Sequence, residues 1–273
     1  MDRRPIGVFD SGLGGLTAVR QLLELLPAED IVYFGDTGRV PYGTRGTAVI
    51  QRYAKEDCRF LLQQDVKLII AACGTVSSVA PQVLSSLPVP AIGVVEPTAA
   101  AAVAATHSGK IGIIGTSATV RSGSFAQAVQ ALRPDAEIFA AACPLFVPLV
   151  ENGWIDRDDP VTRLTVARYL EPLRARGIDT LILGCTHFPL LIPLLQDFFG
   201  DSVSLIDAGR EAANACARLL QEKHALNPVK KAGDCRFYVT DRPDNFTEVA
   251  EMFLGRAVQS DVHVIDCQSL PSL

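Results

Sequence analysis

The sequence lacks several features that commonly decide the class of a protein. It contains no Cys-x-x-Cys pair, and its seven cysteines are an odd number spread widely over 273 residues. This pattern argues against a disulfide framework and against the usual spacing of zinc ligands. No apolar run approaches the roughly 18 residues of a membrane-spanning helix. Lysine and arginine form no cluster in a chain of net charge −5, so neither a membrane span nor a nucleic-acid surface is expected.

The chain also lacks an apolar leader before its first apolar run, because residues 1–5 are mostly charged. An export signal would need such a leader. Together with the odd number of cysteines, this predicts a cytoplasmic protein whose thiols are free. Hydrophobic residues make up 48% of the sequence and charged residues 20%, which is ordinary for a globular chain of one large α/β unit or two domains.

Four apolar runs in the first third of the chain are predicted strands, with helical patterns between them. Because these runs are continuously apolar and do not alternate with polar residues, they favour a parallel sheet covered by helices on both faces. The predicted strands are Ile6–Phe9, Ile31–Phe34, Leu68–Ala72 and Ala91–Val95. Ligands of such sheets bind beyond the carboxyl ends of the strands. One rim is therefore expected to hold the polar residues at these ends, which are Asp10, Asp36, Cys73 and Glu96.

The second half of the chain repeats the first. Ile6–Ser11 resembles Ile111–Thr116, 105 positions later, and Cys73 and Cys185 are 112 positions apart. Nearly constant offsets in chain order indicate a duplication. We therefore expect an α/β protein with two pseudo-symmetric lobes, each a mostly parallel sheet flanked by helices, and an active site in the cleft between them. The expected boundaries are residues 1–97 plus 209–273 for the first lobe and 98–208 for the second.

Two cysteines differ from the others because each directly follows an apolar strand. The stretch Leu181–Leu191 contains Cys185, and a weaker copy, Leu68–Ser78, contains Cys73. We expect both at helix N-termini, where the helix dipole and unpaired N–H groups lower the pKa of a thiol. Two thiols that face each other across a cleft suit inversion at a carbon atom. One removes a proton from one face, and the other returns a proton to the opposite face.

Each of these thiols has a candidate partner that could adjust its proton affinity. His187 lies two residues after Cys185, and Asp10 ends the first predicted strand, on the rim expected to hold Cys73. We therefore expect His187 to assist Cys185 and Asp10 to assist Cys73. The other five cysteines are expected to be buried, inert apolar residues.

The glycine-rich loop Gly12–Thr17 supports a competing hypothesis. It follows a strand, and Asp36 lies about 20 residues further on, which imitates a dinucleotide fingerprint. However, Thr17 occupies the third glycine position, and Asp10 would repel a pyrophosphate. The loop N–H groups are instead expected to approach a small carboxylate. No lysine follows a strand end, which argues against pyridoxal phosphate, so we expect neither a cofactor nor a metal.

Taken together, six segments resemble glutamate racemases, a family within the cofactor-independent aspartate/glutamate racemase superfamily. The resemblance covers nearly the whole chain, and the segments occur in the family's order. They are Phe9–Gly15, Gly35–Thr37, Val40–Gly43, Ala72–Thr75, Gly184–Pro189 and Phe253–Gly255.

The resemblance implies interconversion of L- and D-glutamate, which supplies D-glutamate for bacterial peptidoglycan. It implies that the catalytic residues are Cys73, Cys185, Asp10 and His187. It also implies that the substrate is held by Asp10, Ser11, Pro41, Tyr42, Gly43, Gly74, Thr75, Thr186 and His187. Homodimers are common in the family, but no interface can be identified from this sequence.

One departure from the family pattern matters. The family commonly has asparagine after the first catalytic cysteine, and this chain has Gly74, so we expect a side-chain amide contact to the substrate to be missing. Glu151 belongs to a segment that resembles a family segment near the cleft, although a solvated loop fits it equally well. Two alternatives remain open: an aspartate racemase of the same superfamily and a non-catalytic protein that binds acidic amino acids.

Overall fold

The computed structural model describes residues 1–229, 231–242, 246–258 and 262–270. In this part of the chain, the first sheet contains six strands, all parallel, in the order β10-β9-β2-β1-β3-β4. These strands are β1 (Ile6–Asp10), β2 (Ile31–Gly35), β3 (Leu68–Ala71), β4 (Ala91–Gly93), β9 (Cys235–Val239) and β10 (Val262–Val264).

The second sheet contains four strands, also parallel, in the order β6-β5-β7-β8. They are β5 (Lys110–Gly115), β6 (Glu137–Ala142), β7 (Thr180–Leu183) and β8 (Ser204–Asp207). The central order β2-β1-β3-β4 of the first sheet matches this order strand for strand. The predicted pair of lobes with one topology is therefore confirmed. The C-terminal strand β9 pairs with β2, so the end of the chain completes the first sheet.

Twelve α-helices connect and cover the strands in the described residues. The first six are α1 (Leu16–Leu25), α2 (Thr47–Gln63), α3 (Gly74–Val79), α4 (Pro81–Ser85), α5 (Val95–Ala105) and α6 (Ser117–Ser122). The others are α7 (Ser124–Leu132), α8 (Phe146–Glu151), α9 (Pro160–Ala175), α10 (Ile192–Phe199), α11 (Ala208–Glu222) and α12 (Phe246–Leu254). None of these helices is both long and apolar enough to cross a membrane.

One predicted strand is too long. The apolar run Ala91–Val95 forms a strand only as far as Gly93, and Val95 already begins α5. Pro97 explains the early change, because proline fits the first turn of a helix, where its missing N–H is not needed. Glu96 consequently lies exposed in the first turn of α5. It does not join Asp10, Asp36 and Cys73 at the strand ends.

Two apolar clusters form the core. One extends through both lobes and includes Ile6 and Leu22 from the first and Leu181 from the second. The other lies on the opposite face of the first sheet, where Phe9 and Phe34 pack with residues of α2. Helix α11 contacts both α1 and α5, which places it between the lobes.

The division of the chain into a first lobe of residues 1–97 plus 209–273 and a second lobe of residues 98–208 stays a proposal. Residues 230, 243–245, 259–261 and 271–273 lie outside the described part of the chain.

Candidate active site

A cavity of about 330 Å³ lies between the lobes, beyond the carboxyl ends of β1, β3, β5 and β7. This volume is at the small end of ligand sites, roughly 300–1,000 Å³, and suits an amino acid better than a dinucleotide. All the predicted site residues except Asp10 line it. They are Ser11, Pro41, Tyr42, Gly43, Cys73, Gly74, Thr75, Cys185, Thr186 and His187.

The two lobes touch directly at this cavity. A Cβ atom added to Gly74 would lie 2.1 Å from the carbonyl oxygen of Gly184 and 3.8 Å from the Cα atom of Cys185. The turn that holds Cys73 therefore contacts the turn that holds Cys185. Nearby, the hydroxyl groups of Thr75 and Thr116 lie 3.1 Å apart across the cleft.

Cys73 is a buried residue at the N-terminus of α3. Its thiol donates a hydrogen bond of 3.6 Å to the hydroxyl of Ser11. Burial raises the pKa of the Cys73 thiol to about 12, and the negative charge of Asp10 adds to the rise. The expectation of a lowered pKa is therefore wrong for Cys73, because desolvation outweighs a helix of only six residues. This cysteine is a protonated thiol at neutral pH.

Asp10 lies behind the cavity wall, buried at the end of β1. Its Oδ2 atom accepts a hydrogen bond from the Gly12 N–H at 3.1 Å, and its Oδ1 atom is buried with no hydrogen-bond partner in the described residues. Burial raises the pKa of Asp10, and the positive charge of His187 partly opposes this rise. The Gly12 N–H is thus occupied by Asp10; the approach of the loop's other N–H groups to a substrate carboxylate stays a prediction.

Cys185 begins a chain of polar contacts in the second lobe. Its sulfur lies 3.9 Å from Nδ1 of His187, and Nε2 of His187 lies 2.9 Å from Oε1 of Glu151. Burial would lower the pKa of His187, but hydrogen bonds and charge interactions with Cys185 and Glu151 outweigh it and raise the pKa to about 10. His187 is therefore an imidazolium at neutral pH. Cys185 itself lies in a bend, two residues before the N-cap of the short 3₁₀ helix Phe188–Leu191, and so not at a helix N-terminus as expected.

The protonation of His187 can be measured by NMR titration. Below about pH 6.5, the ordinary pKa, the charged ring contributes its full stabilisation to the folded state, and this contribution is lost as the pH rises through about 10. We expect one of the four histidines, assigned with His187→Asn, to titrate near pH 10. Glu151→Gln should lower this midpoint, because it removes the carboxylate that faces the ring.

An unchanged midpoint in Glu151→Gln would show that the carboxylate does not control the ring. His263, whose ring stacks on Tyr238 in the first lobe, provides a control for folding, because its chemical shifts at pH 7 should be the same in both proteins.

The loop that carries Pro41, Tyr42 and Gly43 forms one wall of the cavity. The Tyr42 hydroxyl is turned away from the cavity and contacts the carboxyl groups of Asp36 and Asp57. Tyr42 therefore contributes a wall, and its hydroxyl is not placed to hold a substrate. Gly43 is required at its position because an added Cβ would lie 2.9 Å from Cβ of Thr116.

Several residues of the second lobe also line the cavity without being among the predicted site residues. They are Thr116, Ser117, Pro144, Val147, Pro148 and Glu151. The repeat contained a signal for Thr116, because it aligns Thr116 with Ser11. For Glu151, the sequence allows either a functional residue or a solvated loop residue, and the structure places its carboxylate against His187. In the described residues, no lysine or arginine lines the cavity, so hydroxyl groups, backbone N–H groups and His187 are its available anion partners.

The comparisons with known proteins agree with this geometry. A family model described as Asp/Glu/Hydantoin racemase matches residues 6–216. A glutamate racemase of Syntrophus aciditrophicus (strain SB) is 52% identical over 255 residues, which cover 93% of this chain and 94% of that protein. The crystal structure of glutamate racemase from Francisella tularensis in complex with D-glutamate has a TM-score of 0.90 at 38% identity and covers 97% of this chain and 98% of that one. The isoform RacE1 from Bacillus anthracis has a TM-score of 0.92 at 36% identity, with coverage of 98% and 99%. The chain therefore belongs to the Asp/Glu/hydantoin racemase family.

Proposed function

We propose that this member of a family of isomerases is a glutamate racemase that uses Cys73 and Cys185 to exchange the Cα proton on opposite faces of the substrate. One observation carries the proposal. Two buried thiols reach one small cavity from equivalent strand ends of the two lobes, and each lies near a different acid–base group. Relatives at 43–52% identity over nearly the full length are named glutamate racemases, which supports glutamate as the substrate.

The cation beside one thiol and the proton on the other support a base at Cys185 and an acid at Cys73. The imidazolium of His187 is placed to pair with a thiolate at Cys185, while Cys73 keeps its proton. In one direction, the Cys185 thiolate takes the Cα proton, and the Cys73 thiol gives its proton to the opposite face. At Cys185, the Cα–H bond breaks as an S–H bond forms. At Cys73, the S–H bond breaks as a new Cα–H bond forms on the opposite face. The site then holds a Cys73 thiolate and a Cys185 thiol, which serve the opposite direction.

The polar groups around the cavity match the charges of an acidic amino acid. The carboxyl group of Asp10 is buried behind the cavity wall and does not line the cavity, so it acts on the substrate ammonium through its charge and not by direct contact. The hydroxyl groups of Ser11, Thr75 and Thr186 are available to the carboxylates. We further propose that this reaction takes place in the cytoplasm without a cofactor and supplies D-glutamate for peptidoglycan.

The test supplies L-glutamate and, separately, L-aspartate to the purified protein without added cofactor, and follows optical rotation. We expect inversion of glutamate with little or none of aspartate. Inversion of aspartate alone would identify an aspartate racemase instead. Binding of either amino acid without inversion would identify a binding protein and contradict the proposal.

A further inference from the structure

A cluster of buried charged groups lies behind the cavity wall and takes no part in the proposed proton transfer. Asp36 follows β2, and Asp57 lies on α2; neither side chain is exposed. Arg39 contacts both carboxylates, through Nε to Asp36 at 2.6 Å and through Nη2 to Asp57 at 3.0 Å. The Tyr42 hydroxyl lies between the same two carboxylates.

Counting hydrogens shows that this arrangement needs one more proton. A tyrosine hydroxyl has a single hydrogen to donate, yet Tyr42 contacts both Oδ2 of Asp36 and Oδ2 of Asp57. If both carboxylates were ionised, one of these contacts would place two oxygen atoms together with no hydrogen between them. A proton on one of the two carboxyl groups resolves the conflict, because that group can then donate to the tyrosine oxygen.

The surroundings favour Asp57 as the protonated partner. Asp36 already accepts hydrogen bonds from Arg39 and from the hydroxyl of Thr240 at 2.8 Å, so both of its oxygen atoms are engaged as acceptors. Burial raises the pKa of Asp57 well above its usual range, and the charges of Asp36 and Glu56 add to this. Arg39 and Tyr42 oppose the rise, and the neighbouring Cys58 is a buried thiol whose pKa is itself raised by burial.

We propose that Asp57 is a positioning residue for substrate binding, held as a neutral carboxylic acid that donates to Tyr42 while Tyr42 donates to Asp36. This chain of hydrogen bonds fixes Tyr42, and with it the segment Val40–Thr44 that forms one wall of the cavity. The role in substrate binding depends on the proposed function; the protonation of Asp57 does not. Loss of the proton would place a buried negative charge on Asp57 beside the carboxyl group of Asp36. The hydrogen bonds that hold Tyr42 and the segment Val40–Thr44 would then be weaker.

The first experiment tests directly whether the carboxyl group of Asp57 carries a proton. In protein labelled with carbon-13 at aspartate carboxyl groups, one resonance should remain at the shift of a protonated acid at pH 7 and should be absent from Asp57→Asn. A carboxyl resonance of Asp57 at the ionised position at pH 7 would overturn the proposal. Because this measurement needs no substrate, it stands even if the protein fails to racemise glutamate.

The second experiment compares two variants at position 57 by the kinetics of glutamate racemisation. Asparagine can donate to Tyr42 and accept from Arg39, as the neutral acid does, so KM of Asp57→Asn should stay close to wild type. Alanine leaves buried partners unsatisfied, so KM of Asp57→Ala should rise roughly tenfold or more, with a smaller change in kcat. At alkaline pH, KM should rise in the wild type more than in Asp57→Asn. Equal KM increases in both variants would contradict the proposal.

A matched control separates positioning from general loss of stability. Glu29 and Lys67 form another buried ion pair, with a distance of 2.5 Å, before the first residues of β2 and β3. This pair lies at the opposite edge of the first sheet from the cavity. Glu29→Gln should lower the melting temperature and leave KM unchanged. If Asp57→Ala does not fold, the asparagine variant and the carbon-13 measurement still decide the question.

Discussion

Replacing either Cys73 or Cys185 with serine is expected to lower the rate of glutamate racemisation by roughly 10²–10⁴-fold, the usual contribution of a positioned acid or base. A serine hydroxyl is a far weaker acid than a thiol, so it can neither take nor return the Cα proton at a useful rate. Both variants should keep the fold, because serine has nearly the same shape. Initial rates with L-glutamate and with D-glutamate measure the effect, and circular dichroism verifies folding.

Cys143 provides a matched control for this experiment. It is another buried thiol and lies directly after β6. Burial raises the pKa of Cys143, and the charge of the nearby Cys185 adds to the rise. Cys143→Ala should retain activity comparable to wild type. Substantial racemisation by either serine variant would contradict the assignment of both thiols.

Any side chain at position 74 is expected to impair the enzyme. This includes asparagine, which glutamate racemases commonly have at this position. The added Cβ would lie 2.1 Å from the Gly184 carbonyl oxygen, and backbone atoms cannot rotate away as a flexible side chain can. The lobes must therefore separate at the point where the two thiols are positioned. Overpacking typically costs about 1–3 kcal/mol, so kcat/KM of Gly74→Ala and Gly74→Asn should fall roughly 5–150-fold.

Gly46 is the matched control for the glycine experiment. It caps α2, has φ of −73°, and an added Cβ would meet nothing within 4 Å, so Gly46→Ala should retain full activity. Wild-type activity in Gly74→Asn would mean that the lobes can separate at no cost. In that case, the close approach of Gly74 to Gly184 has no role in catalysis.

The sequence predicted the fold because its strands are short, apolar and followed by glycine or a polar residue. The constant spacing between Ile6–Ser11 and Ile111–Thr116, and between Cys73 and Cys185, also predicted that equivalent strand ends would meet. Parallel strands place their carboxyl ends at one edge. For this reason, the sequence pattern alone assigns residues far apart in the chain to one cavity.

Other properties of the site depend on contacts between distant segments, which the sequence pattern does not contain. The approach of Glu151 to His187 arises because α8 packs beside the turn after β7. The raised pKa of Cys73 results from the depth of its burial, whereas the sequence indicated only its place at a helix N-terminus. Asp57 lies within an amphipathic helix and has no local signal that would distinguish it from a solvated acid.

Deuterium labelling during the first turnovers in D2O tests the two-thiol mechanism most directly. L-glutamate is supplied, and mass spectrometry measures deuterium at Cα both in the D-glutamate formed and in the L-glutamate recovered. Because one thiol removes the proton and the other delivers a solvent-derived one, the product should carry one deuterium while the recovered substrate stays largely unlabelled. Deuterium appearing in recovered L-glutamate as fast as in D-glutamate would mean that a single base serves both faces, and the proposed mechanism would be wrong.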